Sequence, residues 1–273
     1  MSKNQNKMVT IVCCYNDSGQ YQKFCTSLEN QNVAYELVGI DNRAQQFSSC
    51  SSALNAALSS VNTEYVIYSH QDIELPEPDM LERFLAYLGQ TGENDIVGVA
   101  GAVEMTARKA GTRENTRNRD GTCVLSRVRH GGELACAGEL EFQGLVECDT
   151  VDECFFGGRT ETFRTEPFDE KLCDNWHLYA VERCLRARVR GGKVWVCDVP
   201  LIHHSGGNIN HSYNEGFRRI AAHYAKLPDG DPGGKVRERI RVIRTVCGSA
   251  RTDWLHRNLF YWKRELLFRL HRL

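Results

Sequence analysis

Short apolar stretches rich in β-branched residues alternate with amphipathic stretches along the first hundred residues. The apolar stretches predict buried strands over residues 9–15, 35–40, 65–68 and 96–100. The stretches between them predict helices over residues 20–31, 48–59 and 79–89. Strands that alternate with helices through short loops indicate an α/β fold. Its central sheet would be mostly parallel, with helices covering both faces.

The pattern changes after the fourth predicted strand. Residues 105–148 are polar, glycine-rich and charged, which indicates either a functional lid or an excursion with its own hairpins. The alternation then resumes with further predicted strands and helices. They are a strand over 150–156, a helix over 178–189, a strand over 193–197 and a segment over 201–207 that closes the core.

The last part of the chain differs from the rest. From residue 235 onward, 11 Lys or Arg residues stand against 3 Asp or Glu, and aromatic residues and leucines recur at helical spacing. We therefore predict an α/β domain over residues 1–227 and a basic amphipathic helical tail over 228–273. Such a helix packs on its own domain, contacts a membrane surface or forms a homodimer interface, and the sequence leaves these three open.

Composition excludes several classes of protein. With 41% hydrophobic and 25% charged residues, the chain has the make-up of a globular protein rather than a disordered one. A net charge of -1 lacks the basic excess of a nucleic-acid-binding protein. The sequence contains no run of 18 apolar residues, so it predicts no membrane span, and its polar start lacks a signal-peptide core. We expect a cytoplasmic protein, with the tail allowing peripheral contact at the inner membrane face.

The chain has 12 cysteines but no C-x-x-C pair. This spacing argues against a zinc ribbon or a thioredoxin-like motif. We expect reduced thiols, most of them buried and acting as small hydrophobic side chains.

Polar side chains follow three of the predicted strands. Asn16 and Asp17 follow the first, Asp41 and Asn42 the second, and residues 70–72 the third. Ligands of open α/β sheets bind beyond the carboxyl ends of the strands, so these clusters predict a binding site. Turn chemistry alone is the alternative, because Asn and Asp favour turns.

His70 and Asp72 leave the third strand two residues apart. A carboxylate and an imidazole at one strand end could together hold a divalent cation that bridges a diphosphate. The alternative is an Asp that caps the next helix beside a surface His.

A pair of histidines, His203 and His204, follows the last predicted strand. Adjacent side chains on a strand point to opposite faces, so we expect only one imidazole to reach the site. His204, or else His203, could complete the cation shell. The alternative is one core His and one exposed His.

The segment before the 178–189 helix contains several acids, a histidine and a tryptophan. A carboxylate of this segment or the His177 imidazole could serve as a general base, and Trp176 could stack on a sugar ring. Ordinary helix capping by Asp174 or Asn175 is the alternative. The proton-moving candidates are Asp169, Glu170, Asp174 and His177.

Taken together, these landmarks and their order resemble the family 2 inverting glycosyltransferases with the GT-A fold, a Rossmann-like fold that binds nucleotide-diphospho-sugars. The His-Gln-Asp motif and the Trp-His-Leu-Tyr segment look closest to a glycosyltransferase-like subgroup related to a streptomycin-biosynthesis protein. The resemblance covers roughly residues 8–210. The segments that carry it are 9–16, 35–42, 65–72, 151–161, 168–186 and 203–207.

The resemblance implies a nucleotide-sugar donor, a glycan or other hydroxyl acceptor and a divalent cation, Mn²⁺ or Mg²⁺. His70 stands where the family's Asp-x-Asp motif has its first acid, and a set of His and carboxylate suits Mn²⁺ better than Mg²⁺. Ala180 stands where an acid is usual in the family. The implied roles are nucleotide binding for Tyr15, Asn16 and Asp41, metal binding for His70, Asp72 and His204, catalysis for His177 or Asp174, and acceptor binding for Asp152 and Trp176.

The sequence thus supports a hexosyltransferase-type enzyme that transfers a sugar to a hydroxyl with inversion. Two other functions stay open. A protein of the same fold could bind nucleotide-sugars or glycans with weak or no transfer, because the acidic set is imperfect at His70 and Ala180. A metal hydrolase could use His70, Asp72 and His204 without any acceptor.

Overall fold

The computed structural model describes residues 9–104, 122–130, 135–136, 142–205 and 211–225. The helices predicted from the sequence are present with slightly shifted ends. Two further helices, over residues 160–165 and 211–225, were not predicted. The described α-helices are α1 (Ser18–Glu29), α2 (Cys50–Ala57), α3 (Met80–Leu88), α4 (Thr160–Thr165), α5 (Tyr179–Val189) and α6 (His211–Ala225).

Fourteen strands lie in the described residues, many of them short. They are β1 (Val9–Tyr15), β2 (Glu36–Asp41), β3 (Tyr65–Ser69), β4 (Ile73–Glu74), β5 (Ile96–Gly98), β6 (Ala100–Glu104), β7 (Thr122–Ser126), β8 (Arg129–His130), β9 (Ala135–Cys136), β10 (Leu145–Cys148), β11 (Thr150–Val151), β12 (Phe155–Arg159), β13 (Val194–Cys197) and β14 (Ile202–His203).

The central sheet has seven strands in the order β10-β13-β5-β12-β3-β1-β2. Strands β2, β1, β3, β5 and β13 run in one direction, while β12 and β10 run in the other. The predicted α/β fold with a mostly parallel sheet is therefore confirmed. Strands β1, β2 and β3 lie side by side and parallel, so their carboxyl ends share one edge of the sheet.

Both faces of the sheet are covered, as the alternation along β1 illustrates. Val12 belongs to a core with side chains of α2 and α5, whereas Ile11 and Cys13 belong to a second core with side chains of α1 and α3. Successive side chains of a strand point to opposite faces, so one apolar strand feeds both cores. This is why β1 has no polar face along most of its length.

The predicted strand over 150–156 is wrong in its middle. The chain forms β11, turns at 152–154, and then enters the central sheet as β12. The Asp152 carboxylate accepts a hydrogen bond from the backbone N–H of Cys154 at 2.9 Å, which stabilises the turn. This local hydrogen bond favours a turn at a point where the apolar residues on either side predict a continuous strand.

The closing segment over 201–207 does not extend the central sheet. Strand β14 pairs antiparallel with β4 and parallel with β8, in a separate four-stranded sheet with the order β4-β14-β8-β9. Because β4 follows directly after the end of β3, this small sheet carries β14 to the edge where β1, β2 and β3 end.

Several predictions from the sequence lie outside the described residues. These are residues 105–121, 131–134 and 137–141 of the polar stretch at 105–148, residues 206–207 of the closing segment, and the tail over 228–273. None of the helices within the described ranges combines the length and apolar character that a membrane crossing requires. Nine cysteines have described side chains, and all nine are free thiols, most of them buried, in line with the expectation.

The close pairing of β12 with β3 predicts a strong effect of Gly157→Ala. A Cβ at Gly157 would lie 2.3 Å from the carbonyl oxygen of Val66 and 3.1 Å from the Cα of Ile67, so backbone atoms would have to move. We expect a loss of about 3 kcal/mol in the free energy of unfolding.

Urea-induced unfolding monitored by circular dichroism measures this loss. Gly89→Ala is the matched control. Its Cβ would meet only ordinary contacts at 3.6 Å, and we expect a change of about 0.5 kcal/mol or less. Equal effects of the two variants would contradict the prediction.

Candidate functional site

A cavity lies beyond the carboxyl ends of β1, β2 and β3. It collects polar residues from all three strand ends, together with residues of α2, of the 168–179 segment and of α5. Its lining consists of Cys14, Tyr15, Asn16, Asn42, Cys50, His70, Gln71, Asp72, Trp176 and Tyr179. Polar clusters that are far apart in the sequence therefore share one concave surface, as parallel pairing of the strands requires.

Gln71 ties the ends of β1 and β3 together. Its Oε1 accepts hydrogen bonds from the backbone N–H groups of Asn16 and Asp17, each at 2.9 Å, and its Nε2 donates to Oδ1 of Asn16 at 2.8 Å. Asp17 also caps α1, because its carboxylate accepts from the N–H groups of Gly19 and Gln20. One amide side chain thus fixes the rim of the cavity where α1 begins.

Three groups at this edge of the sheet form a triangle: His70, Asp72 and His203. Nδ1 of His70 lies 3.5 Å from Nε2 of His203 and 4.0 Å from Oδ1 of Asp72. Nε2 of His203 lies 3.4 Å from the same Asp72 oxygen. Two ligands bound about 2.1 Å from one metal ion lie roughly 3 to 3.5 Å apart, so a small closure of this triangle would let it hold a cation.

The Asp72 carboxylate carries a further mark of a ligand. Its Oδ1 is shielded from solvent and accepts no hydrogen bond of ordinary geometry. Burial by itself would raise the pKa of Asp72, but the nearby imidazoles, that of His203 more than that of His70, outweigh it and lower the pKa. The carboxylate is therefore ionised at neutral pH, as binding of a cation requires.

His70 is held as a neutral imidazole. Burial lowers its pKa, and the charges of Asp152 and Asp72 oppose this only in part. On the side of the ring away from Asp72, Nε2 lies 3.2 Å from the hydroxyl oxygen of Tyr179. Neutral imidazole is the form that binds metal ions.

From the sequence we preferred His204 to His203 as the third ligand, but the structure places His203 at the cluster. His203 is buried and faces Asp72, whereas His204 is exposed and its Nε2 lies 2.8 Å from Oε2 of Glu74. The backbone N–H of His204 donates to the carbonyl oxygen of Asp72 at 2.9 Å. That bond, with the pairing of β14 on β4, turns the His203 side chain toward the cluster and the His204 side chain away from it.

The three predicted nucleotide-binding residues lie at neighbouring strand ends, but two of them line the cavity and one does not. Tyr15 and Asn16 line it, and the Tyr15 ring stacks on Tyr21 with the ring centroids 4.0 Å apart. Asp41 instead forms an ion pair with Arg43, whose hydrogen bonds lower the pKa of Asp41 to about 2. Asn42, the next residue, takes the place in the lining.

In the 168–179 segment, too, only some of the predicted site residues line the cavity. Trp176 lines the cavity and is 41% exposed, so its ring is open to a ligand. Asp174 is exposed and forms an ion pair with Arg219 of α6. His177 is half-buried beside Tyr213, and burial lowers its pKa. Neither Asp174 nor His177 belongs to the lining.

Two acids in the turn between β11 and β12 have different surroundings. Asp152 is exposed, and among the charged groups it has the largest effect on the pKa of His70. Oε1 of Glu153 is shielded from solvent and accepts no hydrogen bond among the described residues. Burial raises the pKa of Glu153 well above its ordinary value, and the backbone N–H groups of Leu178 and Tyr179 at the start of α5 oppose this only in part. The sequence did not predict that Glu153 lies near the start of α5, since no local pattern links it to residue 178.

Comparison with family models identifies the chain. The model of the Glycosyltransferase like family matches residues 10–224, which includes every element of the cavity. The protein belongs to this glycosyltransferase family. The earlier resemblance is thereby confirmed at the level of the family. A search of curated proteins gives no match.

Solved structures of similar shape have the GT-A fold of nucleotide-sugar transferases. S. aureus TarS 1-349 in complex with UDP-GlcNAc matches with a TM-score of 0.56 at 12% identity, over 87% of this chain and 70% of that one. GalNAc-T7 with UDP, GalNAc and Mn²⁺ matches with a TM-score of 0.53 at 10% identity, over 88% of this chain and 54% of that one. At such identities the likeness establishes the fold of this glycosyltransferase family member.

The bridging role of Gln71 predicts that Gln71→Ala destabilises the protein. The variant leaves the N–H groups of Asn16 and Asp17 and the Asn16 side chain without their shared partner. We expect a loss of about 1 to 2 kcal/mol in the free energy of unfolding, measured by thermal or urea denaturation.

Gln90→Ala serves as the control, because Gln90 makes one exposed hydrogen bond, to the carbonyl oxygen of Ala86 at the end of α3. We expect it to change stability by about 0.5 kcal/mol at most. If Gln71→Ala were equally mild, Gln71 would not be the tie between the two strand ends.

Proposed function

We propose that the protein transfers a sugar from a nucleoside-diphosphate sugar to an acceptor hydroxyl, with inversion at the anomeric carbon and with the help of a divalent cation. The observation that carries the proposal is the cluster of His70, Asp72 and His203, of which His70 and Asp72 line the cavity at the ends of three parallel strands. Because of its altered His-Gln-Asp motif, we propose that the protein belongs to the streptomycin-biosynthesis-protein-like subgroup of the family.

The same cavity offers groups for the nucleotide. We infer that Asn16 and Asn42 hydrogen-bond the base or ribose, and that Tyr15, braced by Tyr21, packs against it. Asp41 stays a proposed ribose contact from the neighbouring strand end, where Arg43 now holds its carboxylate. UDP-GlcNAc in the TarS structure and UDP in the GalNAc-T7 structure support a UDP-sugar as the first donor to test.

His70, Asp72 and His203 would hold the cation, and a bound cation would neutralise the charge that develops on the departing diphosphate. Two imidazoles and one carboxylate suit Mn²⁺ better than Mg²⁺, which prefers oxygen ligands. The Mn²⁺ in the GalNAc-T7 structure supports the same choice. The ionised Asp72 and the neutral His70 are in the protonation states that binding needs.

Inversion requires a base on the face of the sugar opposite the diphosphate, within hydrogen-bond reach of the acceptor hydroxyl. Asp152 is exposed, and among the charged groups it has the largest effect on the pKa of His70. Asp152, like His177 and Asp174, is outside the lining of the cavity. We place Asp152 at the acceptor and favour it as the base because its carboxylate acts on His70, a proposed ligand, more than any other charged group does. Trp176 would stack on a sugar ring at the same opening.

Peripheral membrane contact or dimerisation through the tail over 228–273 stays a proposal from the sequence alone, as does the division into two parts at residue 227.

The proposed cation site predicts that Asp72→Asn and His203→Gln bind Mn²⁺ at least about 100-fold more weakly, because each removes a ligand rather than an outer contact. Isothermal titration of the metal-free protein with MnCl₂ measures this loss directly. UDP release from a panel of UDP-sugars, with and without simple sugar acceptors, measures turnover.

His204→Gln is the matched control, because it changes the adjacent imidazole, which faces Glu74. It should keep Mn²⁺ binding within about twofold, since it removes only a surface ion pair. Strong binding by Asp72→Asn, or equal losses in the two histidine variants, would contradict the proposed site.

The proposed base predicts that Asp152→Asn lowers kcat by about 10²- to 10⁴-fold with little change in nucleotide affinity, since amide cannot accept the proton. Steady-state rates with saturating donor, and UDP binding by titration, measure the two quantities. His177→Gln and Asp174→Asn are the comparison variants.

If His177→Gln lost the rate and Asp152→Asn kept it, the base would be His177, as first expected. The equivalent result for Asp174→Asn would assign Asp174.

A second function is favoured by one observation: neither His177 nor Asp174, the bases expected from the sequence, lines the cavity. A member of the family without a working base would bind nucleotide-sugars and transfer nothing. Tight, Mn²⁺-dependent binding of UDP-sugars without turnover of any donor and acceptor pair would support that function.

A further inference from the structure

We propose that Tyr179 is the positioning residue for His70: its hydroxyl fixes the imidazole so that Nδ1 is presented to the cation held with Asp72 and His203. The inference rests on the proposed function, since it concerns how the proposed cation site is oriented. Neither the family assignment nor the geometry of the three ligands by itself assigns a part to Tyr179.

The geometry of the His70 ring carries the inference. One ring nitrogen, Nδ1, faces the other two members of the triangle, at 3.5 Å from His203 and 4.0 Å from Asp72. The other ring nitrogen, Nε2, lies 3.2 Å from the Tyr179 hydroxyl oxygen. A metal-bound His commonly donates its second N–H to a fixed partner, which sets both tautomer and ring orientation.

Tyr179 can be that fixed partner because its own side chain has little freedom. It is 2% exposed, and its ring packs edge-on against Phe168 and tilted against Phe156, with centroids 5.7 and 6.1 Å apart. A hydroxyl on a ring packed in this way can contact His70 in only one orientation.

The backbone that carries Tyr179 is held as well. Leu178, the residue before α5, has φ of 69°, a left-handed conformation that a leucine adopts only when its surroundings enforce it. Leu178 is 1% exposed, and its carbonyl oxygen accepts from the backbone N–H of Glu182 at 2.9 Å. The packed residue before α5 therefore holds the start of the helix, and Tyr179 with it.

The protons follow from the same arrangement. The Tyr179 hydroxyl carries one proton and can donate it in a single hydrogen bond. Cys50 and Tyr179 line the same cavity, and the Cys50 sulfur is a weak acceptor that this proton can meet. The hydroxyl oxygen is then free to accept from Nε2–H of His70, which leaves the lone pair on Nδ1 toward Asp72 and His203.

The test is Tyr179→Phe in the full chain, which keeps the ring and removes only the hydroxyl. We expect Mn²⁺ to bind 10- to 100-fold more weakly, the usual effect of removing the partner of a metal-bound His. Titration calorimetry with MnCl₂ gives the affinity, and circular dichroism of the metal-free protein confirms that the variant is folded.

Tyr68→Phe is the matched control. Tyr68 is equally buried in the same aromatic cluster, and its hydroxyl has no hydrogen-bond partner among the described residues. Its loss should change Mn²⁺ affinity by about twofold or less, because no ligand depends on it. A loss shared by both variants would mean that the packing of the cluster matters and not the hydroxyl, and would overturn the inference.

A second measurement needs no metal. Long-range ¹H–¹⁵N NMR of the EDTA-treated, unaltered protein reports the tautomer of each neutral imidazole, and His70→Gln identifies the signals of His70. We expect the Nε2–H tautomer for His70, and a shift toward a mixture in Tyr179→Phe. An Nδ1–H tautomer in the unaltered protein would overturn the inference.

The two measurements separate this inference from the proposed function. If the unaltered chain bound no Mn²⁺, the proposed cation site would fail, and the tautomer would still decide whether Tyr179 positions His70. If the unaltered chain and Tyr179→Phe bound Mn²⁺ equally while Tyr68→Phe was neutral, the cation site would stand and the inference would be overturned.

Discussion

Parallel pairing of β3, β1 and β2 is the constraint on which the site depends. Parallel strands end at the same edge of a sheet, and the backbone groups just beyond that edge are free to meet a ligand. Residues 55 positions apart, Asn16 and Gln71, therefore become hydrogen-bonded neighbours. The buried, apolar strands serve to hold these polar ends in register, and Gln71 locks two of them together.

A second constraint acts where the chain leaves the sheet. Strand β4 follows β3 at once, and β14 pairs with it antiparallel, so the register of two short strands decides which imidazole meets Asp72. A shift of one residue would exchange His203 for His204. The hydrogen bond from the backbone N–H of His204 to the carbonyl oxygen of Asp72 holds the observed register.

The helix that begins at Tyr179 meets the proposed cation site through its first residue. The left-handed Leu178 precedes that residue, and the Tyr179 hydroxyl lies 3.2 Å from Nε2 of His70. Asp152 of the turn between β11 and β12 is exposed and has the largest effect of any charged group on the pKa of the same imidazole. The proposed base and the proposed positioning residue therefore act on one imidazole, although 27 positions separate them in the sequence.

The sequence by itself determined the α/β class, most of the strands and helices, and the three polar strand ends, because these follow from local periodicity and from the rule that parallel strands end together. Only the tertiary structure decided between His203 and His204, replaced Asp41 by Asn42 in the cavity, and removed Asp174 and His177 from its lining. It alone brought Tyr179 and Glu153 into the site. Each of these depends on strand register, on an ion pair such as that of Asp174 with Arg219, or on packing between distant segments, and no local pattern of residues encodes such contacts.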